Sequence, residues 1–326
     1  MKPIIVTGLK PSGKLHLGNY LGAVKQIIDI QNSEKYECFC FVADYHSLTE
    51  KYSPKEKKQE ILEVVIDLLS LGVDPQRSVF FIQSHVPEHA NLAWIFNNIV
   101  SVGKLQGMIE YKEKIQEGQP ANAGLFNYPV LMAADILIYK ADFVPVGEDQ
   151  SQHIEITREI ARTFNKTFGK TFNEPKIVLS KGLRIKALDN PNKKMSKSLP
   201  KGCLFLSDSP EVIRQKIKTA VTDSGKEIVY DPKNKPAISN LLTIYSEVTN
   251  KPIQRIAATY KNKGYLKFKS DLAENIIIFL NPFQEKRKKF AASPEKIKKD
   301  LAIGSKKAGI IAQNTLKEVK KTIGLI

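Results

Sequence analysis

"TGLKPSGKLHLGNYLGA", residues Thr7 to Ala23, decides how the chain is read. The run Ile4-Ile5-Val6-Thr7 is apolar and β-branched and ends at Gly8, as a buried strand does where it feeds a loop. From Leu17 to Ile30 apolar residues recur at helical spacing. The loop between them spells G-x-x-x-x-G-K from Gly8 to Lys14 and so imitates a phosphate-binding P-loop. Two residues refuse that reading. Leu15 stands where a hydroxyl must ligate magnesium, and Pro11 removes one of the backbone N–H donors that cradle phosphate. What remains is a strand, a loop and a helix that opens on His16-Leu17-Gly18-Asn19. His16 and Asn19, three apart, share a helical face and can both donate to phosphate oxygens. Gly18 offers bare backbone against which an adenine ring can lie, and the helix start adds partial positive charge.

Working outward, Cys38 to Ala43 reads as a second strand, with Cys38 and Cys40 on one face. "SPKEKKQEILEVVIDLLSLG" predicts a helix with Ser53 as N-cap, Pro54 first, Glu56 completing a capping box and Gly72 ending it. "SVFFIQ" from Ser78, "DFVPVG" and "PKIVLS" predict further strands. Helical stretches are expected around Leu92–Ile99, Val130–Tyr139 and Gln150–Phe164. Strands alternating with helices predict an α/β, doubly wound, mostly parallel Rossmann-type sheet. After "KALDNPNKKMSKSLPKG" the pattern turns helical, beginning with the cap Ser209-Pro210-Glu211, and predicts a second, α-helical domain. The expected division is 1–187 and 188–326, with the last helix packing back on the first domain.

The totals narrow the classes. The chain has 326 residues, 42% of them hydrophobic, with no apolar run approaching the ~20 residues that span a bilayer. A cytoplasmic location is the default expectation. Three cysteines without a C-x-x-C pair read as small buried hydrophobes rather than a metal or redox site. Lys and Arg exceed Asp and Glu by 16, and 12 of those excess charges fall between Lys251 and Ile326. A polyanionic partner accounts for this, and so does general use of lysine on solvated surfaces.

The second decisive stretch is Lys194-Met195-Ser196-Lys197-Ser198, in the loop between the expected domains. Two lysines so spaced can meet one polyphosphate. Together with His16-Leu17-Gly18-Asn19, this pentapeptide resembles the paired signatures of class I aminoacyl-tRNA synthetases. "PSGKLHLGNYLGA", "SHVPEHANLAW", "KIKTAVTDS" and the segment Asn127–Asn165, "NYPVLMAADILIYKADFVPVGEDQSQHIEITREIARTFN", resemble the bacterial tryptophanyl branch of that family, in matching order.

The resemblance implies activation of tryptophan by ATP, brought with Mg2+, to an adenylate and pyrophosphate, followed by transfer to tRNA(Trp). It also implies a homodimer and no membrane. It assigns Lys10, Pro11, Ser12, Gly18 and Asn19 to ATP, with His16 at the phosphates. Gly147, Glu148 and Asp149 would touch the nucleotide, Ile185 would line the adenine pocket, and Met195, Ser196 and Ser198 would close over it with Lys194 and Lys197. Those two lysines would meet the β- and γ-phosphates in the transition state. Asp135 would accept the indole N–H, since a carboxylate among apolar neighbours needs a donor. Met132, one turn earlier, would pack on the ring, with Gln150, Val6 and Gly8 completing the amino-acid site. No resident metal is expected.

Three positions depart from the family pattern. Lys10 stands where Gln is common, Val6 where an aromatic often stacks, and Leu199-Pro200 where an acidic residue is frequent. His85-Val86-Pro87-Glu88-His89 spells an inverted zinc-protease motif, but Pro87 breaks the helix that motif needs, so a strand-to-helix turn is expected. His46 follows a strand end, with no role assigned. Three other readings fit parts of the pattern. They are the tyrosine-specific sister enzyme, a nucleotidyltransferase acting on a small metabolite, and a non-catalytic RNA-binding protein.

Overall fold

The computed structural model describes the chain apart from Met1, Gln119, residues 180–182, Ser198 and the side chain of Glu148. Five strands, β1 Ile4–Leu9, β2 Glu37–Val42, β3 Ser78–Ile82, β4 Phe143–Val146 and β5 Lys176–Leu179, form one parallel sheet in the order β3-β2-β1-β4-β5. The doubly wound expectation is therefore met. Register is fixed by the apolar pattern: Ile5 lies opposite Cys38 on one side and Phe143 on the other. Successive side chains enter two separate cores. Cys40, Val42, Phe80 and Ile82 pack on one face, and Val6, Phe39, Phe41 and Phe81 on the other. Cys38, Cys40 and Cys203 are buried free thiols, as expected.

Beyond β5 the described residues form helices and isolated bridges but no further strand. The first core runs without a break from Leu15 and Leu17 into this part, through Ile213, Ile276 and Phe283. The last helix, Pro294–Thr322, returns to the sheet, and its Ala308, Ala312, Leu316 and Val319 join the second core. It crosses β3 so closely that a Cβ on Gly304 would lie 1.8 Å from the Phe80 carbonyl oxygen.

Local details correct the sequence reading at three places. Ser53 is the N-cap of helix Pro54–Leu71, but its side chain makes no capping bond. The first turn is exposed, where solvent can take the place of a side-chain cap. The Asp135 helix begins at Ala123 rather than near Val130. Asn122 caps it by accepting from Leu125 N at 2.8 Å, and Pro129 is carried inside. The helix after the phosphate loop is not uniform: Leu17–Asn19 passes through a wide π turn, Tyr20–Val24, into Lys25–Asn32.

Candidate active site

The strand order reverses between β1 and β4, because β1 leads to β2 on one flank while β4 lies on the other. In such sheets the crevice beyond the carboxyl ends of the strands at this point receives the ligand. A cavity of about 690 Å³ opens there. Its walls bring together Val6, Gly8 and Lys10 from β1 and its loop, His16, Gly18 and Asn19, Met132 and Asp135, Gly147, Asp149 and Gln150, and Ile185, Lys194 and Met195. Pro11, Ser12, Ser196 and Lys197 do not line it. Ser198 and the Glu148 side chain lie outside the described residues.

His16 is not on the helix face but at its N-cap. Asn19 N donates to His16 Nδ1 at 3.2 Å, and His16 N donates to Asn19 Oδ1 at 3.1 Å. Since Nδ1 accepts, the neutral ring carries its proton on Nε2 and remains a donor there. Burial, reinforced by the charges of Lys197 and Lys194, lowers the His16 pKa to about 4. A Cβ on Gly18 would come 3.1 Å from the His16 ring and 3.6 Å from Met195 Cβ, so only glycine leaves that backbone open. Met195 is itself buried, with its N–H donating to Ile185 O at 3.0 Å.

The two signature stretches meet directly. Lys197 Nζ donates to Ser12 O, Ser12 Oγ and Gly13 O at 3.2, 3.0 and 3.1 Å. An ammonium held, among the described residues, by these neutral oxygens is poised to exchange them for an anion. Lys10, the extra cation, is neutralised by Glu50 at 2.7 Å.

Asp135 is 2% exposed and saturated on three sides. His46 Nε2 donates to Oδ2 at 2.7 Å, while Gln83 Nε2 and His89 Nδ1 donate to Oδ1 at 2.7 and 2.6 Å. His89 Nε2 lies 2.7 Å from the Tyr139 hydroxyl. Burial would raise the Asp135 pKa, but the donors His46 and His89 outweigh it and hold the carboxyl below its ordinary value. A carboxylate has about four acceptor positions. With three filled, one lone pair on Oδ2 is left for a donor in the cavity.

None of these partners was assigned by sequence reasoning. Their signal was positional: "ADYHS" and "HVPEH" follow the carboxyl ends of the adjacent parallel strands β2 and β3, which bring them to the same edge. The H-x-x-E-H stretch is a strand-to-helix turn, and its His89 faces Asp135 rather than a metal. Also unassigned were Tyr128, Glu110 and Lys114 on the cavity wall. Tyr128 Oη lies 2.6 Å from His153 Nε2, and its pKa is pushed well up, first by burial and then by Glu110, so the phenol stays protonated.

Comparison with known proteins adds to this geometry. The family model "tRNA synthetases class I (W and Y)" matches residues 1–281. A protein from Listeria monocytogenes named tryptophan–tRNA ligase is 44% identical over 328 residues, covering 100% of this chain and 98% of that protein. Among solved structures, tryptophanyl-tRNA synthetase from Mycoplasma pneumoniae superposes with a TM-score of 0.89 at 36% identity, covering 99% of this chain and 98% of that one. The Campylobacter jejuni enzyme, solved with ADP and tryptophan, gives 0.86 at 36% identity, covering 98% of this chain and 99% of the other.

Proposed function

We infer the chemistry of the cavity from one premise: this chain belongs to the class I tRNA synthetases of the W and Y group. Its reaction joins tryptophan to tRNA. ATP and tryptophan give tryptophanyl-adenylate and pyrophosphate, and the tryptophanyl group then passes to tRNA(Trp).

The observation that carries the residue assignment is Asp135. A buried carboxylate with one unfilled acceptor position lies in the same cavity as His16 and Lys194. Indole N–H is a donor only and fills that position. Tyrosine, with its shorter ring and hydroxyl, fits it less well. Met132 flanks the ring, and Gln150 and Tyr128 take the α-ammonium side.

The substrate carboxylate is already a competent nucleophile, so the protein's work is alignment and charge stabilisation. ATP lies across the β1–β4 crevice, with adenine between Gly18 and Ile185 and phosphates toward His16. Gly147 and Asp149 meet the nucleotide from β4. His16 is neutral and supplies a hydrogen bond without charge. The positive charge comes from Lys194 and Lys197, the latter leaving Ser12 and Gly13 for the leaving pyrophosphate. Mg2+ enters with the phosphates. The described residues hold no group of three or more His, Cys, Asp or Glu that could cage it, and magnesium often relies on substrate oxygens.

Residues 1–187 form the catalytic domain and 188–326 the mainly helical, basic part that meets tRNA. The chain works as a homodimer through the apolar face around Trp94. That indole is 72% exposed above a groove lined by Tyr45, Leu48, Ala93 and Leu131. Its place of work is the cytoplasm, in keeping with its free thiols; no described helix is long and apolar enough to cross a membrane. The deciding experiment is exchange of labelled pyrophosphate into ATP, with tryptophan and tyrosine in parallel. Exchange dependent on tryptophan supports the reading, and exchange with tyrosine alone removes Asp135 from the indole role.

A further inference from the structure

His16 stands on a short antiparallel pairing between two distant segments. Leu17 N donates to Leu204 O at 2.9 Å, Leu206 N donates to Leu15 O at 3.0 Å, and His16 faces Phe205 between them. One segment belongs to the phosphate loop and the other follows the Lys194–Lys197 stretch. Both are held from outside by a single turn of helix Gly264–Ala291. Gln284 Nε2 donates to Leu206 O and Asp208 O, each at 3.0 Å. One turn on, Arg287 Nε donates to Asp67 Oδ1 at 2.7 Å, and the same guanidinium pairs with Glu63. Asp67, 4% exposed on helix Pro54–Leu71, lies beside Leu15, whose backbone N–H favours the ionised carboxylate against the burial that raises its pKa.

None of the three side chains lines the cavity. Gln284 acts on the backbone of one segment, and Arg287 holds Asp67 beside the other. A buried carboxylate is stable only when paired, so Arg287 keeps Asp67 ionised and in place beside Leu15.

We propose that Gln284, Arg287 and Asp67 are positioning residues that set the register of Leu15–Leu17 against Leu204–Leu206, and so the point at which His16 meets the nucleotide. This rests on the reading that His16 faces the ATP phosphates. A displacement of about 1 Å at such a group costs on the order of a hundredfold in rate, which gives a remote arginine leverage.

The test compares Arg287→Leu, Gln284→Leu and Arg287→Lys with the unaltered chain. Three quantities are read: amide hydrogen exchange in the peptide Leu15–Asn19, ATP affinity by calorimetry, and exchange kinetics. Arg287→Leu is expected to speed amide exchange at Leu15 and to weaken ATP about tenfold. The tryptophan concentration for half-maximal rate should stay within about twofold. Arg287→Lys, which keeps a donor to Asp67, should recover most of the loss. Should Arg287→Leu fail to fold, Gln284→Leu and Arg287→Lys carry the same comparison. Unchanged Leu15 exchange and ATP affinity in the altered chains overturn the proposal. So does a loss of ATP and tryptophan binding in step that lysine does not repair. Amide exchange and ATP binding require no particular amino acid. An unaltered chain that binds ATP without tryptophan-dependent exchange would therefore refute the substrate reading while leaving this test intact.

Discussion

At the scale of the residue, function depends on how protons are held. Asp135 stays ionised in an apolar wall because three donors converge on it. Replacing it with alanine removes the proposed indole acceptor and should raise half-saturating tryptophan by about ten- to a hundredfold, since hydrogen bonds to charged groups carry roughly 1.5–3 kcal/mol. Half-saturating ATP should change little, and steady-state kinetics in both substrates checks this. His16 makes a different prediction. Its folded pKa of about 4 lies below the ordinary 6.5. Between those values the unfolded chain binds a proton that the folded chain refuses, so this group's contribution to stability falls as pH drops through that window. Activity that needs the neutral ring persists through 6.5 and breaks only near 4. A pH profile of pyrophosphate exchange for His16→Gln against the unaltered chain isolates the group. Lys197→Ala should lower exchange on the order of a hundredfold, as loss of one transition-state contact of ~3 kcal/mol does, with tryptophan affinity nearly unchanged. An unaltered rate would take Lys197 out of the mechanism.

Elements were legible in the sequence where they were long and regular. The four apolar strand runs after β1, the Gly72 stop and the Ser209 cap all read directly, because each is a local preference that tertiary contacts reinforce. The Asp135 helix was read only from Val130, whereas capping at Asn122 and burial of Leu125 and Val130 carry it through Pro129 and outweigh the lost bond. The short helices Val102–Gln106 and Ile109–Gln116 escaped because neither spans enough turns to show a period. That His16, Gly18, Asn19, Lys194 and Met195 share one cavity wall could be anticipated because they fall in two compact stretches. The network behind Asp135 was not, since His46, Gln83 and His89 arrive from the ends of different strands and only the parallel register unites them. Helix packing also yields a prediction. Gly304 sits against the Phe80 carbonyl, and Gly304→Ala should cost about 1–3 kcal/mol by forcing the last helix outward. Thermal unfolding would show a midpoint several degrees lower, with the rate per folded molecule unchanged.

At the scale of the whole molecule, two surfaces differ in character. The sequence carries a net charge of +16, concentrated toward Lys251–Ile326, as a tRNA partner requires. The face around Trp94 is apolar, with Leu48 46% exposed beside it. Trp94→Glu should leave the fold intact and convert the chain to a monomer at micromolar concentration, read by sedimentation. If the unaltered chain is the proposed dimer and the variant keeps its mass, the interface lies elsewhere.

The return of the last helix to β3 has a consequence for biogenesis. Strand β3 and helix Glu88–Asn97 acquire part of their cover from the last helix, whose residues leave the ribosome long after the strand they shield. Until those residues emerge, the nascent sheet keeps one flank greasy and uncapped, a natural target for a chaperone. Premature termination before Pro294 would yield not a smaller working enzyme but a sticky remnant fit for degradation.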